Sequence, residues 1–571
     1  MEEIRFYCEN DKTYHKTEIG RPLKEVSEKI CPTVKDNKTE EELPVLAALV
    51  DHKLKELEFP LVVSHQIEFL GYNHPDGRRT YIRSLCFVLQ DAVRSLFPDK
   101  VLIIDYSLPS GLYCEVHEQK ASEDGRASVH FLTDDELLQI KEKMEEIVAE
   151  DIPFRKVKMT HEEAGKLFLD NHQPDKAELL DSLGKLTYSV YFLGTAADTF
   201  YGPLVPSTGY LKTFDIVGFN NGFCLQFPQE GNTSKVSPMK RQSKIAATLQ
   251  ENSDWCTILG VKGVGSLNKV ISEGKAIGLI NLAEALHERK YADIADKIYE
   301  RRDRSKIVFI AGPSSSGKTS TSKRLALQCK VLGLNPKVIE LDNYFVDREH
   351  TPKDENGEYD FESLHAMDLD LLNSNINDLL SGKKVEIPRF SFKEGRRHFC
   401  GDFMQLEEND ILIMEGIHAL NPEMTSAVDN SRIFRVYASA LTSLSLDENN
   451  NISTSDNRLL RRMVRDNRVR GISPEQTILR WHSVRRGENR NIFPFQENAD
   501  AAFNSALIFE LPMLKYYAEP LLRRITPNSA AYPEAVRLLK FLDYIVALSP
   551  DEIAAIPPTS IMREFIGGQS L

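Results

Sequence analysis

The chain has 571 residues, which is too long for one hydrophobic core and indicates three or four domains. Its formal net charge of -14 argues against a general nucleic-acid coat or a binder of anionic membranes, and no apolar run approaches the length of about 18 residues that spans a bilayer. The eight cysteines are scattered and form no CxxC pair, so reduced thiols and a cytoplasmic protein are expected.

The first 225 residues mix short strands with amphipathic helices. Residues 1–60 predict a small α+β module, and residues 61–225 predict a second α+β domain. The clearest helix follows a capping box formed by Thr133 and Glu136. The apolar face predicted for this helix consists of Leu137, Leu138, Ile140, Met144, Ile147 and Val148.

Residues 226–304 are expected to connect two halves of the chain. Up to residue 255 this segment is polar, which predicts a long loop or linker. From Leu267 to Arg304 the pattern becomes helical and predicts a helical connector.

At Lys306 the character of the chain changes. The apolar run KIVFIAG predicts a buried parallel strand, and strands then alternate with helices. This alternation predicts a doubly wound parallel sheet over residues 305–525, followed by a helical tail over residues 526–571. The whole chain is therefore expected to be a multidomain protein of the α/β and α+β classes.

The segment IAGPSSSGKTS, residues 310–320, fits the phosphate-binding pattern G-x-x-x-x-G-K-S/T. Its glycines let the backbone wrap a phosphate group, its lysine reaches the outer phosphates, and its threonine hydroxyl can bind Mg²⁺. A buried strand before the loop and a helical pattern after it agree with this mechanism. The residues predicted to bind a nucleoside triphosphate are Gly312, Pro313, Ser314, Ser315, Ser316, Gly317, Lys318, Thr319 and Ser320.

Two acidic residues follow apolar strands after the loop. Asp342 follows the run KVIEL, and Glu415 ends the run DILIME. In a parallel sheet the carboxyl ends of the strands face the ligand crevice. Either acid alone would be an ordinary loop residue. Beside the phosphate loop, Glu415 is expected to hold Mg²⁺ directly or through water, and Asp342 to accept a proton from an attacking hydroxyl.

An arginine-rich segment, NRLLRRMVRDNRVRG, occupies residues 457–471. Such a charge run is usually a solvated helix face. Beside a phosphate loop, arginines on one helix can instead close as a lid, neutralise the charge of the transferred phosphoryl group and exclude water. Exclusion of water favours transfer to an acceptor over hydrolysis.

These motifs resemble the uridine kinase and phosphoribulokinase family over about residues 305–520. The loop, LDNYF, EIPRFSFKEGRR, IMEGIHAL and the arginine-rich segment occur in the family's order and at about its spacing. The resemblance implies ATP as phosphate donor, Asp342 as general base, and Thr319 and Glu415 at a bound Mg²⁺. The further catalytic residues that it implies are Lys318 and the lid arginines Arg461, Arg465 and Arg470.

The acceptor pocket departs from the family pattern. Glu362 stands where a ribose-binding aspartate is expected, and Phe390 and Gly395 match a tyrosine and a histidine that contact the pyrimidine. Loss of that histidine removes a hydrogen bond that reads the base. Kinase chemistry is therefore better supported than the identity of the acceptor. The acceptor contacts implied by the resemblance are Asp342, Tyr344, Glu362, Phe390 and Arg396.

Residues 1–225 resemble the N-terminal region of threonyl-tRNA synthetases, a TGS module followed by an editing domain. The matching stretches are YIRSLCFVLQDAVRSLFPD, YSLPSGLYCEV and FYGPLVPSTG. The four editing-site positions carry Arg83, Phe87, Phe200 and Leu204, which offer no metal ligand. Editing hydrolysis is therefore expected to be lost. The scaffold is then retained for structure, or it mediates assembly, or it binds a ligand or RNA.

Three functions remain open on the sequence alone. The first is ATP-dependent phosphorylation of a nucleoside 5′-hydroxyl, most simply that of uridine or cytidine. The second is the same chemistry on another nucleoside or a sugar phosphate. The third is a nucleotide-gated RNA-binding regulator, against which the net charge of -14 stands. A small-molecule hydroxyl acceptor is the expected partner, whereas RNA and membranes are not. The choice between ATP and GTP stays open, as does the oligomeric state, a homo-oligomer included.

Overall fold

The computed structural model describes residues 2–36, 39–121, 127–239, 242–353, 357, 359–442 and 444–571. Over these residues no helix has the length and apolar character needed to cross a membrane. Four regions follow one another along the chain: an N-terminal module, an antiparallel α+β domain, a helical connector, and a parallel α/β domain with a helical C-terminal segment.

The N-terminal module contains one main sheet and helix α1. Its elements are β1 (Glu3–Cys8), β2 (Thr13–Glu18), β3 (Arg21–Pro22), α1 (Leu23–Ile30), β4 (Thr33–Lys35), β5 (Glu42–Pro44), β6 (Ala47–Val50), β7 (Lys53–Lys55), β8 (Pro60–Leu61) and β9 (Gln66–Leu70). The main sheet has the order β2-β1-β9-β6-β7. Because β9 pairs with both β1 and β6, the module extends to Leu70, beyond the predicted boundary at residue 60.

The second domain is antiparallel. Its elements are α2 (Pro75–Leu96), β10 (Lys100–Leu108), β11 (Gly111–Ala121), β12 (Ala127–Val129), α3 (Asp134–Ala149), β13 (Arg155–Thr160), α4 (His161–Asp170), α5 (Pro174–Leu183), β14 (Thr187–Leu193), β15 (Ala196–Asp198), β16 (Asp215–Phe219) and β17 (Gly222–Gln226). Its strands form one sheet in the order β10-β11-β17-β16 and a smaller one in the order β13-β14-β15. A single core packs α2 and α3 against the larger sheet.

Helix α3 begins at the capping box that the sequence predicts. The Thr133 N–H donates to the Glu136 carboxylate at 2.8 Å, and the Glu136 N–H donates to the Thr133 hydroxyl at 3.2 Å. The buried face of the helix is narrower than expected, since Leu138 is 52% exposed. That residue lies outside the helical series that reaches the core, which consists of Leu137, Ile140, Met144 and Ile147.

The connector is more helical than the sequence predicts. Its elements are β18 (Pro228–Gln229), β19 (Asn232–Val236), α6 (Ser243–Leu259), α7 (Val264–Ser272) and α8 (Ala276–Glu300). Helix α6 lies where a loop up to residue 255 was expected, although part of that predicted loop, residues 240 and 241, lies outside the described residues. The helix forms because Ile245, Ala246 and Leu249 pack into a core shared with the parallel sheet. The polar residues between them obscure this short apolar face in the sequence.

The parallel α/β domain confirms the predicted doubly wound sheet. Its elements are β20 (Ile307–Ala311), α9 (Lys318–Val331), β21 (Asn335–Glu340), α10 (Leu369–Leu380), β22 (Val385–Glu386), β23 (Arg389–Ser391), β24 (Arg396–His398), β25 (Phe403–Met404), β26 (Asp410–Glu415), β27 (Ile433–Ser439), β28 (Ser445–Asp447), β29 (Asn450–Asn451), α11 (Thr454–Arg470), α12 (Pro474–Asn491), β30 (Ala501–Asn504) and α13 (Glu510–Leu522). The central sheet has the order β21-β26-β20-β27-β30, and every pairing is parallel. Alternate residues of β20 enter opposite cores, Val308 on one face and Phe309 on the other.

A buried ammonium group joins the second domain to the parallel α/β domain. Lys176 of α5 is 1% exposed, and its Nζ lies 2.7 Å from Asp447 Oδ1 and 2.9 Å from Asp198 Oδ1. Burial alone would lower the pKa of Lys176, but the carboxylates of Asp198 and Asp447 raise it above its ordinary value. Asp447 belongs to β28, so the two halves of the chain share one buried ion cluster.

The C-terminal segment is built into the core of the parallel domain. Its helices are α14 (Tyr532–Leu542), α15 (Pro550–Ala554) and α16 (Met562–Ile566). Leu538, Met562 and Phe565 belong to the same core as Val308 of the central sheet. The predicted helical tail is therefore helical, and it also covers one face of the domain.

We expect Phe565→Ala to lower the free energy of unfolding by about 3–5 kcal/mol, because the ring is fully buried in this core. Phe399 is 52% exposed and provides the matched control, for which Phe399→Ala should cost about 0.5 kcal/mol or less. Urea unfolding of both variants measures the difference. Equal, small effects would show that the C-terminal segment is not part of the core.

Candidate active site at the phosphate-binding loop

The phosphate-binding loop lies between β20 and α9, where the sequence predicts it. Ser315 and Gly317 adopt φ angles of 59° and 81°, in the left-handed region that glycine tolerates and serine adopts only under constraint. A Cβ on Gly312 would overlap the carbonyl oxygen of Ala438, at the end of neighbouring β27. In the described part of the chain the hydroxyls of Ser315 and Ser316 are buried without a hydrogen-bond partner, which suits a loop that receives an oxygen-rich ligand.

One buried ion pair holds the beginning of this loop. The side chains of Arg458 in α11 and Glu488 in α12 are both buried and pair through two contacts, of which Nη1–Oε2 measures 3.0 Å. Arg458 Nε also donates to the Ser314 carbonyl oxygen at 3.0 Å, and Glu488 accepts the Ser314 N–H at 3.0 Å. Both backbone groups of one loop residue are therefore bound by the same ion pair.

A second buried pair lies beside the first. Arg461 is 0% exposed and pairs with Glu510 of α13, with Nε–Oε2 at 3.0 Å. Its Nη1 donates to the Ser315 carbonyl oxygen at 3.4 Å, and the Phe565 ring centroid lies 5.0 Å from its guanidinium carbon. Arg461 thus supports the loop from within the core, which differs from the lid position predicted from the sequence. The difference arises because Glu510 and the loop carbonyl draw the guanidinium inward.

Three further arginines of α11 act on the crevice. The positive charges of Arg470 and Arg465 favour ionisation of Asp342. Arg462, which the sequence analysis did not single out, donates to the Ser314 hydroxyl at 2.7 Å. Its charge also acts on Glu362. Helix α11 therefore supplies both the support of the loop and the cations beside it.

The two predicted metal ligands lie in direct contact. The Thr319 hydroxyl donates to Glu415 Oε1 at 2.6 Å. Burial raises the pKa of Glu415 to about 7, Lys318 opposes this shift, and the negative charge of Asp342 adds to it. A buried carboxyl group that resists ionisation, with a hydroxyl oxygen beside it, fits Mg²⁺, whose charge would favour the ionised form.

Asp342, the predicted general base, lies in the turn after β21 and is half-buried. Burial raises its pKa above the ordinary carboxyl value, and the charges of Lys318, Arg470 and Arg465 partly offset that rise. A raised pKa suits a carboxylate that accepts a hydroxyl proton near neutral pH. The Lys318 ammonium donates to the Pro313 carbonyl oxygen at 3.3 Å, so the loop lysine lies at the same crevice.

Glu362, predicted to hold the ribose of an acceptor, belongs to the same charge cluster. Burial raises its pKa to about 7, and the negative charges of Glu488 and Asp342 add to the shift. Arg462 and Lys318 oppose it. The structure therefore brings together Lys318, Asp342, Glu362 and Glu415, which lie far apart in the sequence.

An arginine lies beside the positions Phe390 and Gly395, which the resemblance assigns to the acceptor. Phe390 packs against Phe345 and Phe392, with ring centroids 5.7 and 5.2 Å apart. A Cβ on Gly395 would lie 2.8 Å from Arg348 Nε, and Arg348 Nη2 donates to the Phe392 carbonyl oxygen at 2.7 Å. The guanidinium of Arg348 thus lies against Gly395, at the position for which the resemblance implied a histidine in the family.

Two predicted acceptor contacts lie elsewhere. Tyr344 is buried in the core, where its hydroxyl accepts a hydrogen bond from Asn375 Nδ2 at 3.3 Å. It points there because the 3₁₀ turn Leu341–Tyr344 packs against α10. Arg396 is exposed on β24.

His418 is a site residue that sequence reasoning missed. It lies three positions after Glu415 in the segment EGIHAL, which is the only signal the sequence offers. The ring is 1% exposed, and neither of its nitrogens has a hydrogen-bond partner among the described residues. Burial lowers the pKa of His418 to about 4, and the charges of His365 and Lys318 act in the same direction. The backbone of Ser363 acts in the opposite direction, but burial dominates, so His418 is a neutral imidazole near the loop lysine.

The C-terminal segment contacts the outer side of the loop. Glu564 Oε2 accepts the Ser320 N–H at 3.4 Å and the Ser320 hydroxyl at 2.7 Å, and Gln569 Nε2 donates to that hydroxyl at 2.7 Å. A Cβ on Gly317 would overlap the Ile561 side chain. Ser320, predicted to bind the triphosphate, is thus engaged by a residue 244 positions later, which no local motif signals.

Comparison with known proteins finds two kinds of relative. The family described as Phosphoribulokinase / Uridine kinase matches residues 307–508. A uridine kinase of Staphylococcus haemolyticus is 30% identical over 196 residues, which make up 34% of this chain and 84% of that protein. The structure of a D-glycerate 3-kinase from Cryptococcus neoformans is 12% identical, covers 36% of this chain and 89% of its own, and has a TM-score of 0.24.

The N-terminal region matches threonine–tRNA ligases. The ligase of Desulforamulus reducens is 33% identical over 179 residues, which make up 31% of this chain and 27% of the ligase. The chain therefore spans about a quarter of the length of the ligases that it matches. The uridine kinase, in contrast, is matched over most of its length, by the part of the chain that contains the phosphate loop, the acids and the arginine helix. The chain belongs to the phosphoribulokinase / uridine kinase family.

Proposed function

We propose that this P-loop kinase transfers the γ-phosphoryl group of ATP to the 5′-hydroxyl of a nucleoside, with uridine or cytidine as the most direct acceptor. The observation that carries the proposal is the cluster of Lys318, Asp342, Glu362 and Glu415 at one crevice. A phosphate-binding lysine, a base and an acceptor-binding carboxylate are the groups that such a transfer needs.

In the proposed reaction, Lys318 and the loop amides bind the phosphates of ATP. Asp342 accepts the hydroxyl proton while the acceptor oxygen bonds to the γ-phosphorus and the bond to the β-phosphate oxygen breaks, which releases ADP. Glu362 accepts hydrogen bonds from the acceptor's ribose hydroxyls. Thr319 and Glu415 would hold Mg²⁺, which neutralises phosphate charge when it is bound.

The arginines of α11 divide into two roles in this proposal. Arg465 and Arg470 balance the charge that spreads over the transferred phosphoryl group and help to exclude water. Arg461 is a positioning residue, because it acts through the Ser315 carbonyl and is fully buried. Transfer to an acceptor is favoured over hydrolysis when the crevice excludes water.

One observation favours a second candidate, in which the acceptor is a sugar phosphate. The guanidinium of Arg348 lies against Gly395, which lies between strands β23 and β24. A guanidinium binds a phosphate group more strongly than it binds a neutral base. The same base and the same loop would serve either acceptor.

We expect Asp342→Asn to lower kcat by about 10²- to 10⁴-fold, because the amide cannot take up the hydroxyl proton. The KM for ATP should change little, since the loop is intact. Transfer of labelled phosphate measures the effect, and Asp370→Asn, at an exposed position of α10, is the matched control. Wild-type turnover in the Asp342 variant would remove this residue from the mechanism.

Arg348→Ala distinguishes the two candidate acceptors. With uridine as acceptor we expect its KM to stay close to the wild-type value, because no charged group of uridine needs the guanidinium. With ribulose 5-phosphate, loss of a charged hydrogen bond would raise the KM by roughly 10- to 100-fold. Lys384→Ala removes an exposed cation outside the β23–β24 strand pair and serves as the control. Turnover confined to the sugar phosphate, with the raised KM, would replace the first candidate by the second.

A further inference from the structure

A cavity of about 300 Å³ lies where three parts of the chain meet, outside the kinase site. The N-terminal module contributes Lys55, the second domain contributes Lys156 and Lys185, and helix α14 contributes Lys540. A second cavity of about 170 Å³ shares Lys55 and Lys540 with the first. The two cavities therefore share part of their walls.

The walls of the larger cavity carry a strong excess of positive charge. Its lining contains four lysines, whereas Glu56 is its only carboxylate among the described residues. That carboxylate is already engaged, since it accepts hydrogen bonds from Lys156 Nζ at 2.8 Å and from the Tyr191 hydroxyl at 2.9 Å. Like charges held in one cavity repel one another, so an anion bound among them relieves that repulsion.

Two of these lysines lie over aromatic rings. Lys185 Nζ lies 5.0 Å from the Tyr544 ring centroid, and Lys55 Nζ lies 4.7 Å from that of Phe59. Each contact stabilises a cation without neutralising it. The positive charge of the cavity therefore remains available to a ligand.

Lys540 lies among these charges, and they oppose its protonation. Desolvation, followed in importance by the charges of Arg83, Lys156, Lys55 and Lys185, lowers the pKa of Lys540 to about 8. A lysine that is pushed toward its neutral form by its neighbours gains most from an anion. This agrees with the geometry of the cavity.

Two of the four positions that the resemblance assigns to an editing site line these cavities, Phe200 the larger one and Arg83 the smaller one. Arg83 Nη1 donates to the Pro203 carbonyl oxygen at 2.7 Å, which places a cation on the loop that lines both cavities. Phe87 and Phe200 pack edge to face with centroids 5.4 Å apart, and Leu204 is buried. These four side chains offer no nucleophile and no metal ligand. The surroundings suit binding of an anion and not its hydrolysis.

We propose that this cavity is a binding site for the di- or triphosphate group of a small molecule. Lys156 is paired with Glu56, which leaves three ammonium groups for a ligand. Lys55, Lys185 and Lys540 lie on three separate chain segments, and their charge and spread match such a group, which is too large for one lysine pair to neutralise. The site is independent of the proposed kinase reaction, since none of its residues belongs to the crevice at the phosphate loop.

Direct titration tests this site. The full-length chain carrying Lys318→Met, which weakens phosphate binding at the kinase loop, is titrated calorimetrically with pyrophosphate, tripolyphosphate and UTP. We expect one binding site, and an affinity about tenfold lower when Lys185→Glu and Lys540→Glu are added. Lys166→Glu with Lys235→Glu makes the same change in net charge at exposed positions elsewhere and should leave the affinity unchanged.

The double variant Lys185→Gln and Lys540→Gln removes the same two charges without placing carboxylates in the cavity, so it perturbs the fold less. It should weaken binding to a smaller extent than the pair of glutamate substitutions. Equal affinity for tripolyphosphate and UTP would mean that the site recognises phosphate alone. Tighter binding of UTP would mean that aromatic residues of the cavity, such as Phe59 and Tyr544, also contact the base. Absence of binding, or equal weakening by the control pair, would overturn the proposal. Because binding is measured without turnover, failure here leaves the kinase proposal standing.

Discussion

Two buried arginine–glutamate pairs determine the geometry on which the rest of the site depends. Arg458 with Glu488 and Arg461 with Glu510 connect α11, α12 and α13, and both arginines also bind carbonyl oxygens of the phosphate loop. Removal of one partner from such a pair costs about 3–5 kcal/mol, because a buried charge is left uncompensated. The loop can therefore keep its strained form only while all three helices are in place, and those helices share their core with the central sheet and the C-terminal segment.

The same helix that fixes the loop also supplies charge to the crevice. Arg465 and Arg470 favour the ionised form of Asp342, while burial works against it. Burial raises the pKa values of Glu362 and Glu415 to about 7, so the acids of the crevice are poorly neutralised by the protein alone. A site with this balance is suited to a ligand that brings metal cations and hydroxyl groups with it. Helix α14 contacts the same arginine helix, since Arg537 donates to Asp456 in the first turn of α11 at 2.8 Å. Lys540 of α14 also lines the charged cavity.

Sequence motifs predicted those features that depend on residues close together in the sequence. The phosphate loop, the capping box at Thr133 and the parallel sheet follow from short motifs and from strand periodicity, and the rule that strand ends face the crevice brought Asp342 and Glu415 to one place. The inward position of Arg461 was not predictable in this way, since its partner Glu510 lies 49 residues later. Helix α6 was missed because a few apolar residues among many polar ones suffice when they pack against an existing sheet. Arg348 beside Gly395 likewise depends on two segments whose approach only the fold determines.

The central claim is that this crevice transfers phosphate to an acceptor and does not release it to water. The most direct test follows the label of γ-labelled ATP with Mg²⁺ in the presence of uridine, cytidine or ribulose 5-phosphate, and in a blank without acceptor. The account predicts that label appears in a nucleoside, with only slow release of inorganic phosphate in the blank. Release of inorganic phosphate at one rate with every acceptor and in the blank, with no labelled product, would contradict it.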